Sequence, residues 1–69
     1  MTGEMVLDGA KIRKLREDAG MTLTQLAEVA AISQSMMGYI ETNRRDVSVS
    51  TVKKIADHFG VGVDDLFKK

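Results

Sequence analysis

The stretch 32-ISQSMMGYIETNRR-45 carries side chains that are unusual for a plain solvent-exposed helix face. With Met37 and Ile40 as its buried stripe, a helix here would present Gln34, Ser35, Met36, Gly38 and Tyr39 outward. The amide and the two hydroxyls can donate and accept hydrogen bonds, and the methionine can make an apolar contact. A glycine weakens a helix interior, so its presence also needs a reason. This is chemistry suited to recognising another molecule.

No combination of side chains in the sequence indicates catalysis or metal binding. His58 is the single histidine of a chain without cysteine, and we interpret it as a helix-surface residue. The neighbouring carboxylates Glu17-Asp18 and Asp64-Asp65 lie near helix ends, and adjacent residues on a helix do not face each other. The serines and threonines have no histidine at a suitable spacing. We therefore expect no enzymatic activity, no cofactor and no metal site.

The composition is that of one small domain built from helices. The 69 residues include no proline and only three aromatic residues, so aliphatic side chains must form the core. Ten basic residues balance ten acidic ones, and the early basic cluster is most simply a solvated helix face: Lys11, Arg13, Lys14 and Arg16. The longest apolar run, 29-VAAI-32, is far too short to cross a membrane. We expect a cytoplasmic protein with no membrane partner.

Four helix starts share one pattern of capping and apolar residues. In each, a short polar residue that can cap a helix follows an apolar residue, and a second apolar residue comes five positions after the first. The sets are Leu7-Asp8 with Ile12, Met21-Thr22 with Leu26, Ile32-Ser33 with Met37, and Val47-Ser48 with Val52. Gly20, Asn43 and Gly60 can adopt the left-handed conformation that ends a helix.

These signals predict helices at about 9–19, 23–30, 34–41 and 49–58, then a short turn that Asp64 could cap. The predicted core residues of the four helices are Ile12, Leu15, Ala19, Leu26, Ala27, Ala30, Met37, Ile40, Val52, Ile55, Ala56 and Phe59. No strand pairing is expected. The sequence predicts a compact all-α domain of five helices over residues 8–69, with residues 1–7 as an N-terminal extension.

The connection between the second and third helices is only three residues long, 31-AIS-33. So short a connection forces a tight angle between the helices, as in a helix-turn-helix. The small side chains of Ala27 and Ala30 allow the two backbones to approach. The spacing resembles the helix-turn-helix of the Cro and phage-repressor (XRE-like) family of DNA-binding proteins, whose twenty-residue motif would cover residues 23–42.

The resemblance extends over nearly the whole chain and implies a lambda-repressor-like fold. Outside the motif it rests on 12-IRKLREDAGMT-22, 48-SVSTVKKIADHFGV-61 and 64-DDLF-67. Ala31 stands where the family usually has glycine, so a left-handed turn there would cost ~1 kcal/mol. Leu23 stands where the family often has a glutamine that donates to phosphate, which leaves only the backbone amides of the second helix for that contact.

The resemblance implies that the third helix enters the major groove of double-stranded DNA and reads base edges. The base-reading candidates are Gln34, Ser35, Met36, Gly38 and Tyr39. Gln34 could pair with adenine, and Met36 could contact a thymine methyl group. Gly38 would remove a clash with the groove, and Tyr39 could reach a phosphate or sugar. The plainer alternatives are a solvated first turn for Gln34 and Ser35, and helix packing for the other three.

The resemblance also implies phosphate contacts near the ends of the motif, for which the candidates are Thr22, Thr24, Asn43, Arg44 and Arg45. The two arginines follow the third helix in a loop that contacts phosphate in family members, and otherwise they are a solvated pair beside Asp46. Asn43 has a second expected role as the residue that ends the helix. Family members also pair an arginine in the first helix with a glutamate at the end of the third. Arg16 and Glu41 fill those positions here.

The expected function is a sequence-specific, DNA-binding transcriptional regulator, a Cro-like repressor acting as a homodimer on a palindromic operator. The candidate dimer contacts are Val61, Val63, Leu66 and Phe67, with Met5 and Val6 as second choice. The C-terminal residues could equally pack back on the first helix. The alternative is a protein-interaction module of the same fold that binds a toxin or a polymerase subunit. Zero net charge and a third helix without Lys or Arg favour that alternative.

Overall fold

The computed structural model describes residues 6–44 and 47–68, which form an all-α fold. Its helices are α1 (Gly9–Asp18), α2 (Leu23–Ala30), α3 (Gln34–Glu41) and α4 (Val49–Phe59). The fifth predicted helix is a single 3-10 turn, Val63–Leu66. In these two ranges no helix has the length and apolar character that a bilayer span requires.

Each α-helix begins at the capping residue that predicts it. The side chains that accept a hydrogen bond from the backbone N–H three residues later are Asp8, Thr22, Ser33 and Ser48. At α2 the capping box is complete, because the Gln25 side chain also accepts from the Thr22 N–H at 2.8 Å. The helix ends also follow from single residues, since Gly20, Asn43 and Gly60 all have positive φ. These bonds satisfy backbone groups that a helix end otherwise leaves without partners.

Ala31, which ends α2, has φ 60° and ψ 42°, the left-handed conformation that side chains with a Cβ rarely adopt. Because Ala31 is exposed, its methyl group gains little from packing. We expect Ala31→Gly to raise the free energy of unfolding by ~1 kcal/mol, measured by urea denaturation. Ala19→Gly is the matched control, since Ala19 is also exposed but has φ −86°. The control should lose stability, and a loss in both variants would contradict the interpretation.

The core lies where α2 contacts α3 and α4, and where α1 contacts α3 and the 3-10 turn. The buried apolar residues are Leu7, Ile12, Leu26, Ala27, Ala30, Met37, Ile40, Val52, Ile55, Ala56 and Leu66. Leu15 and Phe59 are partly buried against this core. The prediction that Ala19 is buried is wrong, because α1 ends at Asp18 and the chain turns outward at Ala19.

The two ends of the described chain meet in an isolated antiparallel bridge between Leu7 and Phe67. The Asp8 N–H donates to the Leu66 carbonyl at 2.8 Å, and the Lys68 N–H donates to the Val6 carbonyl at 2.7 Å. This bridge is isolated and belongs to no strand, so the described residues contain no strand, as expected. Leu7 is 8% exposed and belongs to the core, although the sequence predicts it to lie in an N-terminal extension.

The cap of the 3-10 turn also differs from the prediction. The carboxylate of Asp65, and not that of Asp64, accepts a hydrogen bond from the Gly62 N–H at 3.0 Å. The turn begins one residue before Asp64, at Val63, so the acceptor that can reach back to Gly62 is one residue further along. The sequence pattern identifies the turn but misplaces its cap.

Candidate nucleic-acid interface

The helix α3 has a buried face that fixes it and an exposed face that is available for contact. Met37 and Ile40 are fully buried. The Ser33 hydroxyl starts the helix by accepting from the Met36 N–H at 3.0 Å, which puts Gln34 and Ser35 in the first turn. Both side chains are exposed and form no hydrogen bond with another described residue. Their donors and acceptors therefore point to solvent, ready for a ligand.

The other three base-reading candidates differ in exposure. Tyr39 is 44% exposed, whereas Met36 is partly buried against the core, so only part of its side chain can make an outside contact. A Cβ placed on Gly38 would meet only Leu23 Cδ2, at 3.6 Å, which is an ordinary contact. Helix packing among the described residues therefore does not require a glycine at position 38. The Leu23 side chain of α2 lies next to Gly38 of α3 and is partly buried against the core.

The candidate phosphate contacts lie at both ends of the motif. Thr24 is exposed, and the Thr22 hydroxyl already accepts the Gln25 N–H at 3.1 Å. Arg44 is exposed three residues after the end of α3, and its backbone N–H donates to the Tyr39 carbonyl at 2.8 Å. This bond and the left-handed Asn43 close the helix end as in a Schellman motif. Arg45 lies outside the described residues, so only Arg44 is placed.

The side chain of Asn43 forms two hydrogen bonds within the domain although the residue is exposed, so its contact with phosphate stays a prediction. Its Oδ1 accepts from the Gly9 N–H at 2.8 Å, and its Nδ2 donates to the Leu7 carbonyl at 2.7 Å. The amide thus has a partner at each end. Asn43 is also expected to end the third helix, and its left-handed φ of 59° agrees with that role.

Arg16 and Glu41 form a bidentate ion pair between α1 and α3. The Arg16 Nε and Glu41 Oε2 atoms are 2.7 Å apart, and Arg16 Nη2 and Glu41 Oε1 are 3.1 Å apart. The side chains are only 14% and 5% exposed, and Arg16 Nη1 also donates to the Met21 carbonyl at 2.8 Å. The hydrogen bond that Arg16 donates to the Glu41 carboxylate raises the pKa of Arg16, although burial acts against the charged form. The pair anchors the last turn of α3.

The candidate dimer contacts are not equally available. The prediction for Leu66 is wrong, because this side chain is fully buried in the core, where the 3-10 turn folds back on α1 and α4. Val61, Val63 and Phe67 are partly buried against the core, so each keeps some exposed surface. Among the second choices, Val6 is 46% exposed. Met5 lies outside the described residues.

Sequence reasoning missed Gly9 as a residue that holds the candidate interface in place. A Cβ on Gly9 would overlap the Ile40 carbonyl oxygen and the Asn43 side chain, and it would lie 2.8 Å from the Glu41 carbonyl oxygen. Only glycine allows α1 to start this close to the end of α3. A glycine at the first helical position, where helix propensity gives no reason for one, is the signal that could have identified it.

Residues 12–66 of the chain match the model of a family described as helix-turn-helix. The chain is 38% identical over 50 residues to the transcriptional regulator SutR of Escherichia coli K12, covering 72% of this chain and 28% of SutR. It is 36% identical over 58 residues to the immunity repressor of Bacillus phage phi105, covering 84% of this chain and 40% of the repressor. The chain thus spans less than half the length of these two relatives.

A solved structure has the same fold. The biofilm regulator SinR of Bacillus subtilis, solved in complex with DNA, aligns with a TM-score of 0.75 and 30% identity. The alignment covers 84% of this chain and 94% of that chain. The four helices and the short turn between α2 and α3 therefore belong to a fold that has been seen on DNA.

Proposed function

Because this chain belongs to the helix-turn-helix family, we propose that it is a sequence-specific DNA-binding domain of a transcriptional regulator, with α3 as its reading helix. The observation that carries the proposal is the division of α3 into two faces. Met37, Ile40 and Glu41 hold the helix to the domain, while Gln34 and Ser35 present unused hydrogen-bonding groups to solvent. The likeness to SinR, solved with DNA, supports the same assignment.

The exposed groups of α3 suit the base edges of the major groove. The N-terminal residues of a reading helix contact base edges in this motif, and Gln34 and Ser35 occupy the first turn. A glutamine amide can bond adenine N7 and N6 together, which distinguishes adenine from the other bases. Gly38 leaves room for close approach, and the exposed part of Tyr39 can reach the sugar-phosphate backbone. This face therefore supports sequence-specific reading of base edges by uncharged side chains.

Selection from random duplex DNA with the purified chain tests the proposal most directly. We expect enrichment of a motif that contains adenine at the position read by Gln34. The affinity for the enriched duplex should fall steeply as salt concentration rises, because phosphate contacts release counterions. Failure to enrich any motif, even at low salt, would remove the proposed function in favour of a protein-interaction module.

The protein-interaction module remains the second candidate because of charge. The chain has zero formal net charge, and α3 carries no Lys or Arg. A surface of this kind attracts DNA weakly at long range. Binding of a protein partner through the exposed α3 face would change little with salt, whereas DNA binding would change strongly. The salt titration therefore separates the two candidates.

Gln34→Ala should relax the preference at one base pair and cost ~1–3 kcal/mol on the duplex that carries adenine there. The reason is that alanine keeps the helix but removes the paired donor and acceptor. Fluorescence anisotropy with the enriched duplex and four single-base variants measures the change. Because Gln34 is exposed and without an internal hydrogen-bond partner among the described residues, the melting temperature should stay the same. An equal loss on all duplexes would contradict base reading by Gln34.

Arg44→Ala should weaken binding to every duplex alike and reduce the slope of log K against log salt by about 1. Arg44 is exposed three residues after the end of α3, where its guanidinium can neutralise one phosphate. Lys14→Ala is the charge-matched control, since Lys14 is exposed on α1 and contacts Asp18. The control should keep the slope of the unmodified protein. Equal slopes for both variants would indicate an effect of net charge alone.

We further propose that the domain acts as a Cro-like repressor and binds a palindromic operator as a homodimer. Half-sites about one helical turn apart, roughly 34 Å, fit two copies that contact the same face of the duplex. The exposed parts of Val61, Val63 and Phe67 are the proposed contact, because these apolar side chains lie in the 3-10 turn or within two residues of it and are only partly buried. Selected motifs should contain two inverted half-sites, and a duplex with one half-site should bind with a lower Hill coefficient.

A further inference from the structure

The Asn43 side chain joins three segments of the fold at the end of α3. Its Oδ1 accepts from the first backbone N–H of α1, at Gly9, and its Nδ2 donates to the carbonyl of Leu7. Leu7 in turn forms the bridge with Phe67. We call the two bonds of the Asn43 amide the Asn43 clasp. The clasp ties the end of α3 to the start of α1 and to the paired ends of the chain.

The chemistry of the clasp requires an amide and fixes its orientation. The first N–H groups of a helix have no partner within the helix, so the Gly9 N–H needs an acceptor. The bonds beside the Leu7–Phe67 bridge use the carbonyls of Val6 and Leu66, so the Leu7 carbonyl needs a donor, which the Asn43 Nδ2 supplies. An amide rotated by 180° would set NH₂ against the Gly9 N–H and oxygen against the Leu7 carbonyl, which excludes that orientation. Neither aspartate nor glycine can make both bonds.

The clasp acts next to the proposed reading surface. Asn43 lies two residues after the end of α3 and directly precedes Arg44, whose backbone N–H donates to the Tyr39 carbonyl. The close approach of Gly9 to the Ile40 and Glu41 carbonyls leaves no gap between α1 and the end of α3. The clasp thereby fixes the orientation of α3 relative to α1. It also fixes the position of the Arg44 backbone.

We propose that Asn43 is a positioning residue for DNA reading, a role that rests on the proposed function. Asn43 contacts no base. It holds α3 and the start of the Arg44 loop in one arrangement relative to α1, so that Gln34 and Arg44 meet bases and phosphates together. Preorganisation of this kind raises the affinity for the correct site because less order has to be gained on binding.

Asn43→Gly separates the amide from the backbone conformation. Glycine adopts the φ of 59° seen at this position at least as readily as asparagine, so the turn is retained while both bonds are lost. Thr42→Ala is the matched control. Among the described residues, the Thr42 hydroxyl bonds only to the Gly38 and Tyr39 carbonyls, within α3, and it takes no part in the clasp.

The test measures the affinity of each variant for the enriched duplex and for a scrambled duplex at one salt concentration. Circular dichroism first sets a temperature at which all the proteins are folded. We expect Asn43→Gly to lower the affinity for the enriched duplex by about tenfold and the affinity for the scrambled duplex by less, so that the ratio of the two affinities falls. Thr42→Ala should keep the ratio of the two affinities.

The proposal would be overturned if Asn43→Gly kept the ratio of the affinities for the enriched and the scrambled duplex. This holds whether both affinities stay the same or fall together, because a merely structural residue affects both duplexes alike. The unmodified protein distinguishes this outcome from failure of the proposed function. If it enriches a motif and Asn43→Gly keeps the ratio, only the positioning role is lost. If it enriches no motif, DNA reading and the role of Asn43 in it are both wrong.

Discussion

Replacing Glu41 by alanine is expected to lower the free energy of unfolding by about 3 to 5 kcal/mol, because the Arg16 guanidinium then stays buried without a counter-charge. The two side chains are 14% and 5% exposed, so the Arg16 guanidinium has little contact with water to offset the loss of the carboxylate. The Met21 carbonyl would keep one hydrogen bond to Arg16 but supplies no charge. A small domain has a total stability of similar size, so the variant should be largely unfolded at 37 °C.

Urea denaturation of Glu41→Ala and Glu17→Ala measures the effect with a matched control. Glu17 also forms an ion pair with an arginine, Arg13, but those two side chains are 60% and 53% exposed. Exposed pairs contribute little, so Glu17→Ala should cost less than about 1 kcal/mol. Similar losses in the two variants would show that burial does not decide the effect. Arg16→Met combined with Glu41→Leu should recover most of the stability, since it removes both charges.

Gly9→Ala is expected to cost about 3 kcal/mol, the upper part of the range for overpacked cores. The added Cβ would overlap the carbonyl oxygen of Ile40, crowd that of Glu41 and press on the Asn43 side chain. Two of these three groups are backbone atoms in the last turn of α3, which cannot swing aside. The variant must push α1 away from α3, and this separation would also strain the Asn43 clasp.

Gly38→Ala makes the same chemical change in a helix where the structure has room for it. A Cβ there meets only Leu23 Cδ2 at 3.6 Å, so the change should raise stability by about 1 kcal/mol through helix propensity. The two glycine variants should therefore differ in sign in thermal or urea denaturation. If both variants lose stability equally, the close contact between Gly9 and the end of α3 does not explain the cost of Gly9→Ala.

The features that could be predicted from the sequence are those that depend on residues close together in the chain. An N-cap and its acceptor are three residues apart, so Asp8, Thr22, Ser33 and Ser48 could be recognised without tertiary information. The buried stripe of α3 follows in the same way from helical spacing, and its complement gives the outward face. Most of the candidate interface could be identified for this reason.

The features that could not be predicted depend on residues far apart in the chain. The bonds of Asn43 span 34 and 36 residues, and the bridge between Leu7 and Phe67 joins the two ends of the described chain. No local pattern distinguishes an asparagine that only ends a helix from one whose amide also binds another helix. The burial of Leu66 could not be predicted for the same reason. Whether an apolar residue near the C-terminus is free or buried depends on how the last turn folds back.

The uncharged outer face of α3 has a consequence for competition among DNA sites in a cell. A genome offers about 10⁶–10⁹ non-specific sites, and proteins bind them almost entirely through phosphate charge. Since α3 contributes no cation, affinity for such sites depends on the few basic residues beside it, such as Arg44. We expect little of the protein to be sequestered on unrelated sequence. A small number of copies could then keep an operator occupied.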